Sequence, residues 1–190
     1  PNAWVLEISS FQLETTHNLN ADAATVLNIS EDHLDRYPSM QHYIAAKANI
    51  FLHEKAGEGI QVLNRNDPNV CAMALPNKKQ ITFGTDQPKT MMDFGLVIEA
   101  EDMWLMQGEL PLMRASELNV HGLHNTANAL AALALCRALD VPVEPLVSAL
   151  REFRGLPHRM EKVAAFNGVT FYDDSKSTNV GSTVAALSGM

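Results

Sequence analysis

The sequence predicts an α/β fold, a mostly parallel sheet with a small antiparallel β patch, and three observations carry that expectation. The apolar runs Ala3–Ile8 (AWVLEI) and Ala23–Ile29 (AATVLNI) are unbroken rather than alternating, the pattern of strands covered on both faces. A helical segment, Pro38–Glu54, separates the second run from a third strand, Gly59–Leu63 (GIQVL), and the order strand, polar loop, helix, strand is that of a parallel α/β unit. A long Ala/Leu-rich helix, Asn125–Leu139 (NTANALAALALCRAL), follows the brief strands.

Each element has a local reason. The first run ends in the polar pair Ser9–Ser10. Pro38–Glu54 carries Met40, Ile44, Lys47 and Phe51 along one helical stripe, and Asn66–Pro68 is a turn. Ile81–Phe83, Gly95–Glu99, Met103–Met106 and Leu110–Leu112 are brief strand candidates separated by turns, which predict the antiparallel patch, inserted in or appended to the parallel part. Pro142 follows the long helix, and a further helix covers Glu144–Phe153. Gly155 and Pro157 break that pattern. Asn167–Gly168 between Lys162–Phe166 and Val169–Tyr172 is a strong hairpin signal. Helical character returns from Asn179. A domain boundary is expected near Gly155, dividing 1–155 from 156–190. The chain opens at Pro1 against a strand-like run and stops at Met190 inside a helix-like one, so it reads as a fragment.

Composition narrows the function. Apolar residues are 46% and charged residues 19%, a globular balance that argues against disorder. The net charge of −8 comes with no Lys/Arg cluster, so a nucleic-acid partner is set aside. A small anionic ligand stays compatible, because local cations and backbone N–H groups hold phosphates within acidic proteins. Cys71 and Cys136 lie in apolar stretches and read as core thiols of a reducing, cytoplasmic compartment. No apolar run approaches the roughly 18–20 residues that span a bilayer, and no secretory signal precedes the fold.

Several residues carry chemistry. Glu7 stands at the carboxyl end of the first strand with Ser9, Ser10 and Gln12 after it, where open α/β sheets bind ligands. A carboxylate there suits Mg²⁺ or simply faces water. Asn28–Tyr37 (NISEDHLDRY) packs Glu31, Asp32, His33 and Asp35 after the second strand, either a metal-binding loop or an acidic helix start. Lys47 shares its stripe with apolar residues. Burial lowers the pKa of such an amine and lets it react with CO₂, giving an anionic carbamate; alternatively the side chain snorkels. His124, Asn125 and Asn128 cluster at the start of the long helix, Asn125 and Asn128 sharing a face; a side-chain amide there matches an adenine edge or caps the helix. Arg159 in Leu156–Arg159 (LPHR), with Asp174 and Lys176 in Asp173–Asn179 (DDSKSTN), offers a phosphate ligand, a ribose acceptor and a charge to offset transferring groups; without context the second segment is a polar loop.

The order of these segments is more specific than any one of them. LEISSFQLE at Leu6–Glu14, LNISEDHLDRY at Leu27–Tyr37, AAK at Ala45–Lys47, GLHNTANALAALAL at Gly122–Leu135, GLPHR at Gly155–Arg159 and DDSKSTNVGST at Asp173–Thr183 together resemble the Mur ligase family over essentially the whole chain. SSFQLE and DSKSTN point to its D-glutamate-adding branch. The resemblance implies a P-loop-type ATPase domain followed by the opening of a Rossmann-like amino-acid-binding domain. It implies an ATP-dependent amide ligase of peptidoglycan precursor synthesis, joining D-glutamate to UDP-N-acetylmuramoyl-L-alanine through an acyl phosphate. It further implies that Glu7, His33 and carbamylated Lys47 hold Mg²⁺, with His33, Lys47 and Lys176 serving catalysis. Ser9 and Gln12 would contact the UDP-linked substrate and Thr178 would face D-glutamate. Asn125 and Asn128 would border adenine, His158 and Arg159 the phosphates, and Asp174 the nucleotide. The family's phosphate loop, G-x-x-x-x-G-K-[ST], is absent from these 190 residues, so the chain alone is expected to be inactive. Another amide ligase of the superfamily, folylpolyglutamate type included, and a non-catalytic nucleotide-binding relative are the alternatives.

Overall fold

The computed structural model describes residues 3–52 and 58–188. The chain forms two compact units, Pro1–Thr82 and Phe83–Met190.

The first unit is a parallel β–α–β arrangement. Helix α1, Ser10–Glu14, starts where Ser9 and Gln12 form a capping box, the Gln12 N–H donating to Ser9 Oγ at 3.3 Å and the Ser9 N–H to Gln12 Oε1 at 2.8 Å. Strand β1, Ala23–Val26, pairs in parallel with β2, Ile60–Asn64, in the register Ala23↔Ile60 to Val26↔Leu63. Between them runs α2, Met40–Ala48, which tightens into a 3₁₀ turn at Asn49–Phe51. Helix α3, Pro68–Cys71, is capped by Asp67, whose Oδ1 accepts from the N–H groups of Asn69 and Val70 at 2.9 and 3.2 Å, with Pro68 at the first helical position. Ala24, Val26, Phe51, Leu63, Val70 and Met73 close the core. Gln61 is 1% exposed and fully engaged, its Nε2 donating to Met73 O at 3.1 Å and its Oε1 accepting from Leu75 N–H at 2.7 Å. That pairing is what makes a buried amide tolerable inside β2. Strand β3, Lys79–Phe83, follows.

In the second unit Phe83, the last residue of β3, pairs in parallel with Phe94 at the head of β4, Phe94–Glu99. Strands β5, Asp102–Gln107, and β6, Leu110–Arg114, add an antiparallel meander. Phe83, Phe94, Leu105, Met113, Leu130 and Leu133 are its most deeply buried large side chains. Helices α4, Leu123–Ala138, and α5, Val143–Glu152, precede a separate two-stranded hairpin of β7, Glu161–Phe166, and β8, Val169–Asp173. Helix α6 is Val180–Ser188. Parallel pairing at β1–β2 and β3–β4, with antiparallel pairing through β4–β6, is the α/β class the sequence predicts.

Some expectations need correction. Ala3–Ile8 is not a strand: among the described residues it has no ladder partner, and Trp4, Val5 and Leu6 are 80%, 96% and 58% exposed. An apolar run becomes a strand only where a neighbouring edge pairs with it. Ile81–Phe83 lies in β3, whose Phe83 pairs in parallel with Phe94, so β4, β5 and β6 alone make the antiparallel patch. In α2 the fully buried positions are Tyr43 and Ala46, while Met40, Ile44 and Lys47 of the expected stripe are half-buried and Phe51, in the 3₁₀ turn that follows, lies in the core; Glu54, the expected end of that helix, lies outside the described residues. Neither cysteine is a fully buried core thiol: Cys71 is exposed and Cys136 half-buried, both free, with burial pushing the Cys136 thiol up. Among the described residues no helix is long and apolar enough to cross a membrane.

Gly108, in the turn between β5 and β6, sits at φ +54°, and a Cβ there would lie 2.7 Å from Met91 Cα and 2.9 Å from Met91 O. Gly108→Ala combines a left-handed alanine with a backbone clash and is expected to cost about 2–4 kcal/mol. Urea unfolding should show a lower midpoint at an unchanged slope; an unchanged midpoint would refute the constraint.

Candidate functional site

In the first unit the loop after β1 is fastened at its start. Asn64 Nδ2 donates to Leu27 O at 2.8 Å, and the Ile29 N–H donates to Asp67 Oδ2 at 2.7 Å, so the cap of α3 also sets where this loop leaves the sheet. The loop then folds on itself. The Arg36 and Tyr37 N–H groups both donate to His33 O, at 2.9 and 3.0 Å, and His33 takes a left-handed φ of 54°. Its own N–H donates to Asp32 Oδ1 at 2.9 Å, and Arg36 pairs with Glu14 at 2.7 Å.

This winding seats the His33 ring among aromatics. Its centroid lies 4.8 Å from Phe11 and 6.1 Å from Tyr43; Tyr37 stands 5.4 Å from Tyr43. Lys47, one helical turn after Tyr43, places Nζ 5.3 Å from the centre of the same Tyr43 ring. The structure therefore brings His33 and Lys47 to one shared neighbour. Burial pushes the Lys47 amine below its ordinary value, while the charge of Asp32 acts the other way. Burial first, and Asp32 second, push the Tyr43 hydroxyl up. Glu7 is exposed and, among the described residues, joins neither His33 nor Lys47 through a hydrogen bond or ion pair. Ser9 and Gln12, expected to meet a substrate, form the capping box of α1.

In the second unit Asn125 and Asn128 lie in the first two turns of α4, after Gly122 at φ +93°. Asn125 Nδ2 donates to His121 O at 2.7 Å, and Asn128 is exposed. The LPHR and DDSKST segments are drawn together. His158 Nδ1 lies 2.7 Å from Asp173 Oδ2, and the Lys176 N–H donates to His158 O at 3.1 Å. Asp174 is spoken for on both oxygens, Oδ1 accepting from the Met160 N–H at 3.0 Å and Oδ2 from Ser177 Oγ at 2.5 Å. Arg159, Lys176 and Thr178 are exposed beside this junction. The His158 imidazole and the Ser175 N–H hold the Asp173 carboxyl at about 2.

Sequence reasoning missed Tyr43, whose signal was its position four residues before Lys47, and missed Asp173 and Glu161. Among the described residues, His158, Glu161 and Asp173 form the one group of three His, Cys, Asp or Glu side chains with ligand atoms within 4.8 Å of one another. Their polar atoms already bond one another or the adjacent backbone.

The comparisons with known proteins agree with one another. The Mur ligase middle domain model matches residues 1–136. The UDP-N-acetylmuramoylalanine–D-glutamate ligase of Nitrosospira multiformis is 65% identical over 190 residues, covering the whole chain and 40% of that protein. The protein of the same name from Nitrosomonas europaea is 64% identical over 189 residues, again the whole chain and 40% of that protein. The chain thus spans about two fifths of the length of these relatives. Among solved structures, MurF from Acinetobacter baumannii superposes with a TM-score of 0.71 at 23% identity, covering 88% of this chain and 36% of its own. UDP-N-acetylmuramate-alanine ligase MurC from Thermotoga maritima gives 0.61 at 22% identity, with 87% and 36% covered. Those two likenesses speak to the fold alone. With the Mur ligase middle domain model matching residues 1–136 of its 190, this chain belongs to the Mur ligase family.

Proposed function

We propose that the complete protein is an ATP-dependent amide ligase that joins D-glutamate to UDP-N-acetylmuramoyl-L-alanine in peptidoglycan precursor synthesis. The observation that carries this reading is the 65% identity, across all 190 residues, to a relative named for that reaction. The substrate's carboxylate attacks the γ-phosphorus of ATP; a P–O bond forms, the bond to ADP breaks, and an acyl phosphate results. The D-glutamate amine then attacks the acyl carbon. The tetrahedral intermediate expels phosphate and the amine gives up its proton. On this reading ATP and the UDP-linked precursor are met in the cytoplasm, and 156–190 opens a second domain completed by residues beyond this chain.

Each unit has its part. Glu7, His33 and Lys47 would hold Mg²⁺, and the donor set fits on one condition. An ammonium is no metal ligand, but a neutral amine that forms an N–C bond to CO₂ and loses a proton presents two oxygens sharing one negative charge instead. The lowered pKa of Lys47 favours the neutral amine that this step needs. The cation supplies screening between the carboxylate and the γ-phosphate when bound. His158 and Arg159 would meet the nucleotide phosphates, Asp174 the nucleotide, Asn125 and Asn128 the adenine edge, and Lys176 the charge developing during transfer. Ser9 and Gln12 would orient the UDP-linked substrate, and Thr178 would face D-glutamate.

Three outcomes test this. Incubated with ATP and UDP-N-acetylmuramoyl-L-alanine, the complete protein should release phosphate with D-glutamate but not with L-alanine, L-lysine or diaminopimelate; preference for another amino acid overturns the assignment. In the complete protein, Lys47→Ala should lower kcat by about 100-fold or more, with partial recovery on adding short carboxylic acids in place of the carbamate oxygens. Undiminished turnover would remove Lys47 from the site. The third outcome concerns pH. A lysine held below its ordinary 10.5 in the folded state binds fewer protons there than when unfolded. Its contribution to stability therefore rises with pH between the folded value and 10.5, the opposite slope to a lysine gaining an acidic partner. Denaturation of CO₂-free wild-type and Lys47→Met chains across that window should show the difference, and parallel curves would contradict the burial.

A further inference from the structure

The junction between the LPHR and DDSKST segments holds its backbone in an uncommon state. His158 has φ 64° and Met160 φ 48°, left-handed values that L side chains rarely adopt and keep only where neighbours enforce them. His158 is enforced at three atoms. Its N–H donates to Glu161 Oε2 at 3.0 Å, its carbonyl accepts from the Lys176 N–H at 3.1 Å, and its Nδ1 meets Asp173 Oδ2 at 2.7 Å. The other oxygen of Asp173 accepts from the Ser175 N–H at 3.0 Å. One carboxylate therefore grips a ring in the first segment and the backbone of the second, and these two segments carry Arg159 and Lys176.

We propose that Asp173 is a positioning residue that clasps the Arg159 segment to the Lys176 segment through the His158 ring, and so sets the geometry with which the Arg159 guanidinium meets nucleotide phosphates. This rests on the nucleotide-binding role proposed above. Asp173 itself need touch neither substrate nor nucleotide. Its carboxyl, held at about 2, is ionised at neutral pH and accepts only. His158 Nδ1 consequently carries a hydrogen, and Nε2 is the ring atom left for a ligand.

The clasp makes a distinctive prediction for an isosteric change. In Asp173→Asn the position bonded to the Ser175 N–H must remain an acceptor, so the amide oxygen stays there and the NH₂ turns to His158. The ring must then accept at Nδ1, and its hydrogen moves to Nε2. The hydrogen bond survives with its direction reversed, whereas Asp173→Ala deletes it.

The complete enzyme tests this with imidazole-¹⁵N-labelled histidine. Wild-type His158 should carry hydrogen on Nδ1, and Asp173→Asn should shift the neutral ring to the Nε2–H form. Asp173→Ala should raise KM for ATP about fivefold to tenfold with kcat changed by less than about threefold, and Asp173→Asn should recover most of that loss. KM unchanged in Asp173→Ala, an Asn variant as impaired as the Ala variant, or a wild-type ring without hydrogen on Nδ1 would each overturn the clasp. Absence of D-glutamate ligation in the wild type would sink the reading in the preceding subsection instead. The histidine spectra would still decide whether Asp173 sets the ring.

Discussion

An amine half-buried over an aromatic ring is the constraint on which the chemistry proposed for the first unit depends. Lys47 is carried by α2 with Tyr43 one turn earlier, so its ammonium rests against the Tyr43 ring rather than projecting freely into water. Cation–π attraction and the charge of Asp32 favour the protonated form, and loss of hydration disfavours it. Desolvation is the largest of these influences on Lys47, and it wins. The same Tyr43 ring borders His33, so one buried tyrosine holds the two groups in a common neighbourhood. What brings His33 there is a chain of ordinary local structure: the register of β1 with β2, the Asp67 cap, and a loop that turns back on the His33 carbonyl.

The second unit reaches a comparable end by different means. Of its residues proposed to meet the nucleotide or the transferring group, His158, Arg159 and Lys176 are exposed, where burial cannot hold a side chain in place. Order comes instead from hydrogen bonds between two loops, dense enough to keep two non-glycine residues in left-handed conformations. Asp174 illustrates the consequence. It was expected to receive ribose hydroxyls, and both its oxygens are committed to Met160 and Ser177. A ligand at that carboxylate would share an oxygen's second lone pair or displace Ser177.

Much of this was legible because it is local. The Asn167–Gly168 turn fixed the hairpin, Pro142 bounded the long helix, and the apolar run at Ala23–Ile29 marked β1. What escaped was whatever depends on a partner distant in the chain. Ala3–Ile8 has the composition of a strand and, among the described residues, no neighbour to make it one. Cys71 lies in an apolar stretch but on the outer side of a four-residue helix. Spacing placed Met40, Ile44 and Phe51 toward the apolar side of α2 but not Tyr43, which is buried because Tyr37 and Phe11 supply aromatic company from two other segments. Asp173 passed as one more acid in a polar loop until the fold set it against His158, fifteen residues earlier.

The proposal for Lys47 is that its partly desolvated amine is converted to a carbamate. ¹³C NMR of the complete protein equilibrated with ¹³C-bicarbonate and Mg²⁺ reads that directly. The account predicts a carbamate carbon resonance that disappears in Lys47→Arg and persists when other lysines are replaced. A spectrum without it, in protein that ligates D-glutamate normally, would contradict the account.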